Sequence, residues 1–285
     1  MRLEEAYSHC LESIRRVDRD RYLLCLLAPM RYRPALWAIH AFNVAISRIP
    51  ETVSEPILGQ IRLQWWRDAI ASIYVNGTSP VHPILDALKD VIPRYRLSLQ
   101  SFERILNARE RDLEDWRPAT IQDLEDYARD TAGEILALSM AVLGTRDKQE
   151  QTVGRMAGTA FALIGILRSI SFQAHRRRFL IPQELVDREG ISLRDVFAFK
   201  HPNAALNLSV AAIATRAETL IADVITQAGQ VSLPARTLLL EARIAAYYLK
   251  RLQAVGFNPF ESGINQSADG LLLWRLASRK LLGLY

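Results

Sequence analysis

The stretch "GILRSISFQAHRRRFLIP", residues 165–182, gathers the side chains best suited to chemistry: Arg168 and the run Arg176, Arg177 and Arg178, with Ser169, Phe172 and Gln173 between them. An arginine guanidinium is a planar fork of N–H donors that matches phosphate. On the residues alone two readings stay open. The arginines line an anion pocket, or Arg168 pairs with an inner carboxylate such as Glu110 or Asp112 while the arginine run is a solvated helix end, where cations are favoured by the helix dipole.

Other reactive constellations are weaker. Asp112, Glu114, Asp115, Asp123, Glu125 and Asp126 stand at surface-helix spacings with Arg109, Arg111 and Arg117 among them. That pattern predicts a solvated salt-bridge face rather than a metal site. The histidines are scattered, and neither His40 nor His175 has a partner at catalytic spacing. Cys10 and Cys25 form neither a metal motif nor a disulfide framework, which fits a reducing compartment. No zinc pattern, nucleophile triad or glycine-rich phosphate loop is present, so no catalytic residue is assigned. Trp65 and Trp66 are adjacent, so on a helix they point about 100° apart and read as packing residues.

These residues need elements to hold them. The chain has 285 residues, 49% apolar and 24% charged, enough for a sizeable core. Its net charge of +5 favours an anionic partner such as a membrane surface, a phosphorylated lipid or nucleic acid. Nucleic acid is disfavoured, because the arginines are spread among acids. Charges interrupt the first twenty residues, as no signal peptide allows, and a transit peptide is a poor fit. Uncharged runs such as Met156–Leu167 fall short of the roughly 20 residues of a spanning helix. The expectation is a soluble or peripheral protein.

Nearly every segment has helical period. "ALWAIHAFNVAI" and "EPILGQIRLQWWRDAIASIY" read as helices, the second ending before Asn76-Gly77. "ATIQDLEDYARDTAGEILALSMAVLG" reads as one helix with Thr120 as N-cap, Asp123 completing a capping box, and Gly144 as the stop. Another helix runs from Ser232-Leu-Pro234 to Gly256. "RRRFLIP" is the one short strand candidate, and residues 201–205 and 257–270 read as loops. The expected fold is all-α, roughly nine to twelve helices in a single domain over 1–285.

Five stretches in order resemble the squalene/phytoene synthase family: "YLLCLLAP", "ALWAIHAFNVAISRIPE", "IRLQWWRDAI", "ARERDLEDWRPATIQDLEDYARDTAGEI" and "AGTAFALIGILRSISFQAHRRRFLIPQEL". The resemblance implies an isoprenoid-synthase helical bundle around a central cavity. Active members join prenyl diphosphates, with Mg²⁺ held by Asp and Glu on two facing helices and acting as a Lewis acid on the leaving diphosphate. On that pattern Ser47, Arg48 and Glu51 occupy the first acidic motif, and Ser169, Phe172 and Gln173 the second. Gly165 and Ala162 replace the family's Asn and Gln. Tyr127 and Gly133 match positions near the cavity.

One carboxylate of these motifs remains, beside a new arginine. The losses resemble those of the branch containing the mitochondrial complex I assembly factor and its bacterial relatives. That likeness implies a non-catalytic, membrane-peripheral factor in respiratory complex I assembly, with a complex I subunit as partner and no metal or cofactor. The implied location is the cytoplasmic side of a bacterial inner membrane, or the matrix side in a mitochondrion. Arg48, Arg168, Arg176, Arg177, Arg178 and Tyr127 are the candidate residues for an anionic lipid or isoprenoid phosphate. The alternative is an active prenyl synthase with altered motifs, which would require Mg²⁺.

Overall fold

The computed structural model describes residues 2–199, 203–261, 263–264 and 270–283. Its helices are α1 (Leu3–Val17), α2 (Arg19–Leu27), α3 (Arg33–Ser47), α4 (Ile49–Thr52), α5 (Pro56–Asn76), α6 (Pro83–Tyr95), α7 (Leu99–Glu110), α8 (Ile121–Ala128), α9 (Glu134–Val142), α10 (Lys148–His175), α11 (Gln183–Glu189), α12 (Leu193–Phe197), α13 (Ala204–Gln227), α14 (Leu233–Ala254) and α15 (Gly270–Leu281). The all-α expectation holds, and no strand occurs among the described residues. The helices are more numerous than expected because short ones such as α4 and α12 are invisible to periodicity.

The strand candidate is a turn at Arg176 and Arg177 followed by irregular chain. Arg176 and Arg177 leave α10 through hydrogen bonds back to Gln173 and Ala174, and Arg177 takes a positive φ of 55°. The 201–205 loop lies partly outside the described residues; Asn203 caps α13, which opens at Ala204. Of the 257–270 loop, the described residues are turn or irregular up to the start of α15 at Gly270.

The caps follow the sequence chemistry. Thr120 accepts from the Asp123 amide, and Asp123 accepts from the Thr120 amide at 2.9 Å. Gly77 closes α5 at φ 71°, a conformation that favours glycine. Gly144 turns the chain after α9 at φ 97°.

α10 is the central helix, packed against α9, α13 and α14, while α1 and α3 pack on each other and on α6. Its length and composition alone would allow it to cross a membrane, but 56% of that apolar window is buried inside the bundle. One buried apolar cluster runs from Ala6 to Leu276.

The expected single helix from 120 to 144 is interrupted. Arg129–Gly133 form a π-helical turn between α8 and α9. Its backbone presses on α10 where α10 carries Gly158: a Cβ at that position would lie 2.5 Å from the Ala132 carbonyl oxygen. Single-turn π-bulges recur at functional sites. This one forms part of the wall of two cavities.

Candidate functional site

α3, α4, the α1–α2 junction, the end of α7, the π turn and the second half of α10 enclose a cavity of about 410 Å³. α10 presents Phe161, Ala162, Gly165, Ile166, Ser169 and Gln173 to it, spaced on one helical face. α3 and α4 present Asn43, Val44, Ser47, Arg48 and Glu51. Val17, Phe161, Ile166 and Leu180 give the lining an apolar part.

The polar part is built from arginine and carboxylate. Glu51 lies between Arg48, at 3.4 Å, and Arg176, at 3.6 Å. The first motif's remaining acid is thus shared by two cations, one from each facing wall. Asp112 is a second hub, 7% exposed. It binds Arg109 at 3.0 Å and Arg178 at 3.1 Å, and the Tyr127 hydroxyl donates to it at 2.8 Å. Arg109 also donates to that hydroxyl at 2.8 Å. Burial pushes the Tyr127 phenol up, against the pull of Arg109, and Asp112 pushes it further.

Behind this wall, Arg21 bonds Glu241 at 2.8 Å and Asp18 at 3.0 Å. Glu241 is 1% exposed, and burial lifts its carboxyl to about 7 despite the opposing Arg21. Burial alone would lower Arg21, but Glu241 and Asp18 hold its guanidinium above the ordinary value.

Ser47, Arg48, Glu51, Tyr127, Ser169, Gln173, Arg176 and Arg178 therefore meet in one cavity. Arg168, Phe172 and Arg177 are not part of its lining. Arg168 points the other way: it stacks 3.3 Å above the Tyr248 ring, donates to the Ile264 carbonyl at 3.1 Å and lies 3.9 Å from Asp20. It does pair with an inner carboxylate, but that carboxylate is neither Glu110 nor Asp112. Burial pulls its guanidinium down, and Tyr248 and Asp20 partly offset this. Phe172 is exposed and carries the Arg176 guanidinium 4.6 Å above its ring. Arg177 is exposed and lines a small separate cleft with Trp116 and Arg117.

The salt-bridge-face reading put Asp112 in solvent, and the structure corrects this: Asp112 is an inner carboxylate, paired with Arg109 and Arg178 rather than with Arg168. Sequence reasoning did not single out Asp18, Arg21, Asn43 or Arg109 as pocket residues. A signal existed: Phe102, Ile105, Leu106 and Arg109 stand at i, i+3, i+4, i+7, so Arg109 shares the buried stripe of α7.

A magnesium ion wants about six oxygens in near-octahedral array. The lining carboxylates are Asp18, Glu51 and Asp112, and arginines hold all three. Among the described residues no group of three His, Cys, Asp or Glu side chains is arranged to hold a metal. This donor set does not fit Mg²⁺.

The family model for squalene/phytoene synthase matches residues 14–277. The chain belongs to that family. It is 28% identical over 261 residues to "NADH dehydrogenase (ubiquinone) complex I, assembly factor 6" of Mus musculus, covering 92% of this chain and 78% of the relative. It is 29% identical over 204 residues to "Phytoene synthase 1, chloroplastic" of Arabidopsis thaliana, covering 70% of this chain and 48% of the relative. A solved dehydrosqualene synthase in complex with ligand superposes with a TM-score of 0.85 at 19% identity, covering 99% of this chain and 97% of that one. The isoprenoid-synthase fold is therefore retained around this arginine-lined cavity.

Proposed function

We propose that this family member is non-catalytic, that its central cavity holds the phosphate of an anionic isoprenoid or lipid without metal, and that it serves as a membrane-peripheral factor in respiratory complex I assembly. One observation carries the non-catalytic part: each lining carboxylate is committed to arginine, in a lining that holds five arginines and three acids. Arg48, Arg176 and Arg178 supply forked donors for phosphate, and Phe161 and Ile166 supply apolar surface for a hydrocarbon chain. The assembly role is supported by the relatives' names in mouse and human, at 28% and 27% identity. On this reading the partner is a complex I subunit, met at the cytoplasmic face of a bacterial inner membrane or the matrix face of a mitochondrion.

The test is diphosphate release from farnesyl and geranylgeranyl diphosphate with Mg²⁺, with Mn²⁺ and with EDTA, beside calorimetric titration of farnesyl phosphate. The expected result is no release, and binding that EDTA leaves unchanged. Metal-dependent turnover that Glu51→Gln abolishes would overturn the reading and restore a prenyl synthase, the activity that the phytoene synthase likeness favours.

A further inference from the structure

A second cleft, of about 790 Å³, lies between the first turns of α7 and α10 and the π turn. It shares no lining residue with the central cavity. Its charged groups are Arg104, Arg129, Lys148 and Arg155 against Asp130 and Glu134. Glu134 is 1% exposed and acts as the anchor: it accepts from Arg104 at 2.9 Å and from Arg155 at 2.7 and 3.2 Å. Burial would raise the Glu134 carboxyl, but its hydrogen bonds to Arg155, Ser101 and Arg104 outweigh burial and hold it below the ordinary value.

The carboxylate thus fixes two guanidinium groups from different helices without using all their donors. A guanidinium has five N–H donors. Glu134 takes one from Arg104 and two from Arg155. Lys148, Gln151, Thr152 and Arg155 stand at i, i+3, i+4, i+7 of α10, so a cation, an amide, a hydroxyl and a cation form one stripe along the cleft. Among the described lining residues none is apolar or aromatic, in contrast to the central cavity. Nothing here would receive a prenyl tail or stack a base.

We propose that this cleft is a second anion site, built for a hydrophilic oligophosphate. Arg104, Lys148 and Arg155 bind its phosphoryl oxygens; the Gln151 amide, which donates one N–H to the Thr145 carbonyl, has a second to give, while the Thr152 hydroxyl donates to the Lys148 carbonyl and only flanks the site. The inference does not depend on the ligand of the central cavity.

Tripolyphosphate, titrated calorimetrically into the whole protein at low and moderate salt, tests it. Binding is expected, weakening as salt rises. Lys148→Gln, an exposed position, and Arg104→Gln, which leaves Glu134 held by Arg155, are each expected to weaken it about tenfold. Arg48→Gln and Arg176→Gln remove phosphate donors of the central cavity and are expected to leave unchanged the part of the binding that depends on Lys148 and Arg104. No binding up to millimolar tripolyphosphate would overturn the proposal, as would binding that only the central-cavity variants reduce. Sedimentation with phosphatidic acid vesicles separates the sources of phosphate. Capture that Lys148→Gln abolishes, without tripolyphosphate binding, would reject a free oligophosphate in favour of a lipid headgroup.

Discussion

The Glu51 carboxylate bridges Arg48 and Arg176, which reach it from opposite walls of the central cavity. It occupies the place between two guanidinium groups that a ligand phosphate would take. Binding at these arginines is then an exchange of one anion for another. Glu51→Gln removes the internal competitor and is expected to tighten farnesyl phosphate binding several-fold, whereas Arg176→Gln weakens it about tenfold. Calorimetric titration of both variants checks this; equal affinity in wild type and Glu51→Gln would show that the carboxylate does not compete.

Asp112 ties together Arg109, Arg178 and Tyr127 from three segments of the chain. Removing one partner of a buried ionic cluster leaves uncompensated charge and costs about 3–5 kcal/mol. Asp112→Ala is expected to destabilise on that scale in urea unfolding. Tyr127→Phe, which deletes one hydroxyl, is expected to cost about 1 kcal/mol.

Arg168 is expected to matter for stability and not for the ligand. Its stacking on Tyr248 and its bond to the Ile264 carbonyl hold α10 against α14 and the segment before α15. Arg168→Ala should lower the melting temperature and leave farnesyl phosphate affinity within twofold of wild type. A large loss of affinity at unchanged stability would place it back in the anion site.

Glycine-to-alanine exchange within a helix ordinarily stabilises by roughly 0.5–1 kcal/mol. At Gly158 the sign is expected to reverse, because the new methyl would stand 2.5 Å from the Ala132 carbonyl oxygen and 2.9 Å from Gly133 Cα, both backbone. Overpacking of this kind costs about 1–3 kcal/mol. Thermal melting of Gly158→Ala beside Gly165→Ala, where a Cβ meets nothing within 4 Å, gives the comparison.

Glu241 gives stability a pH dependence of defined sign. Its carboxyl is raised from 4.5 to about 7 by burial. Between those values the folded protein keeps a proton that the unfolded chain has lost, so stability falls as pH rises through that window and levels above about 7. Glu241→Gln, which keeps an acceptor for Arg21, is expected to flatten this slope. Urea unfolding at pH 5, 6, 7 and 8 reads it; the same slope in both proteins would assign the dependence to another group.

The helices were legible because the bundle repeats one pattern, and capping chemistry marked ends such as Thr120–Asp123 and Gly77. The Arg48–Glu51 position was legible as an anomaly against the family pattern, and the arginine run as a stretch that pattern shares. Three features were not. The π turn shifts the helical phase, but every residue of α9 from Glu134 to Val142 is buried, so no one-sided apolar stripe is left to show the shift. Asp112 sits among solvated acids in sequence, and the Arg109 stripe is the feature of its own segment that shows the face turning inward. The direction of Arg168 depends on Tyr248 and Asp20, which lie 80 and 148 positions away in sequence.

The bond between Arg21 and Glu241 joins residues 220 positions apart. During synthesis at about 5–20 residues per second, the N-terminal helices therefore wait on the order of ten seconds or more before the carboxylate that neutralises Arg21 is made. In that interval Arg21 has Asp18 alone for a counter-charge, and α2 cannot settle against α14. Completion of the bundle is thus reserved for chains that have extended past α14, and a product ending earlier would leave Arg21 uncovered, with Asp18 as its one carboxylate partner.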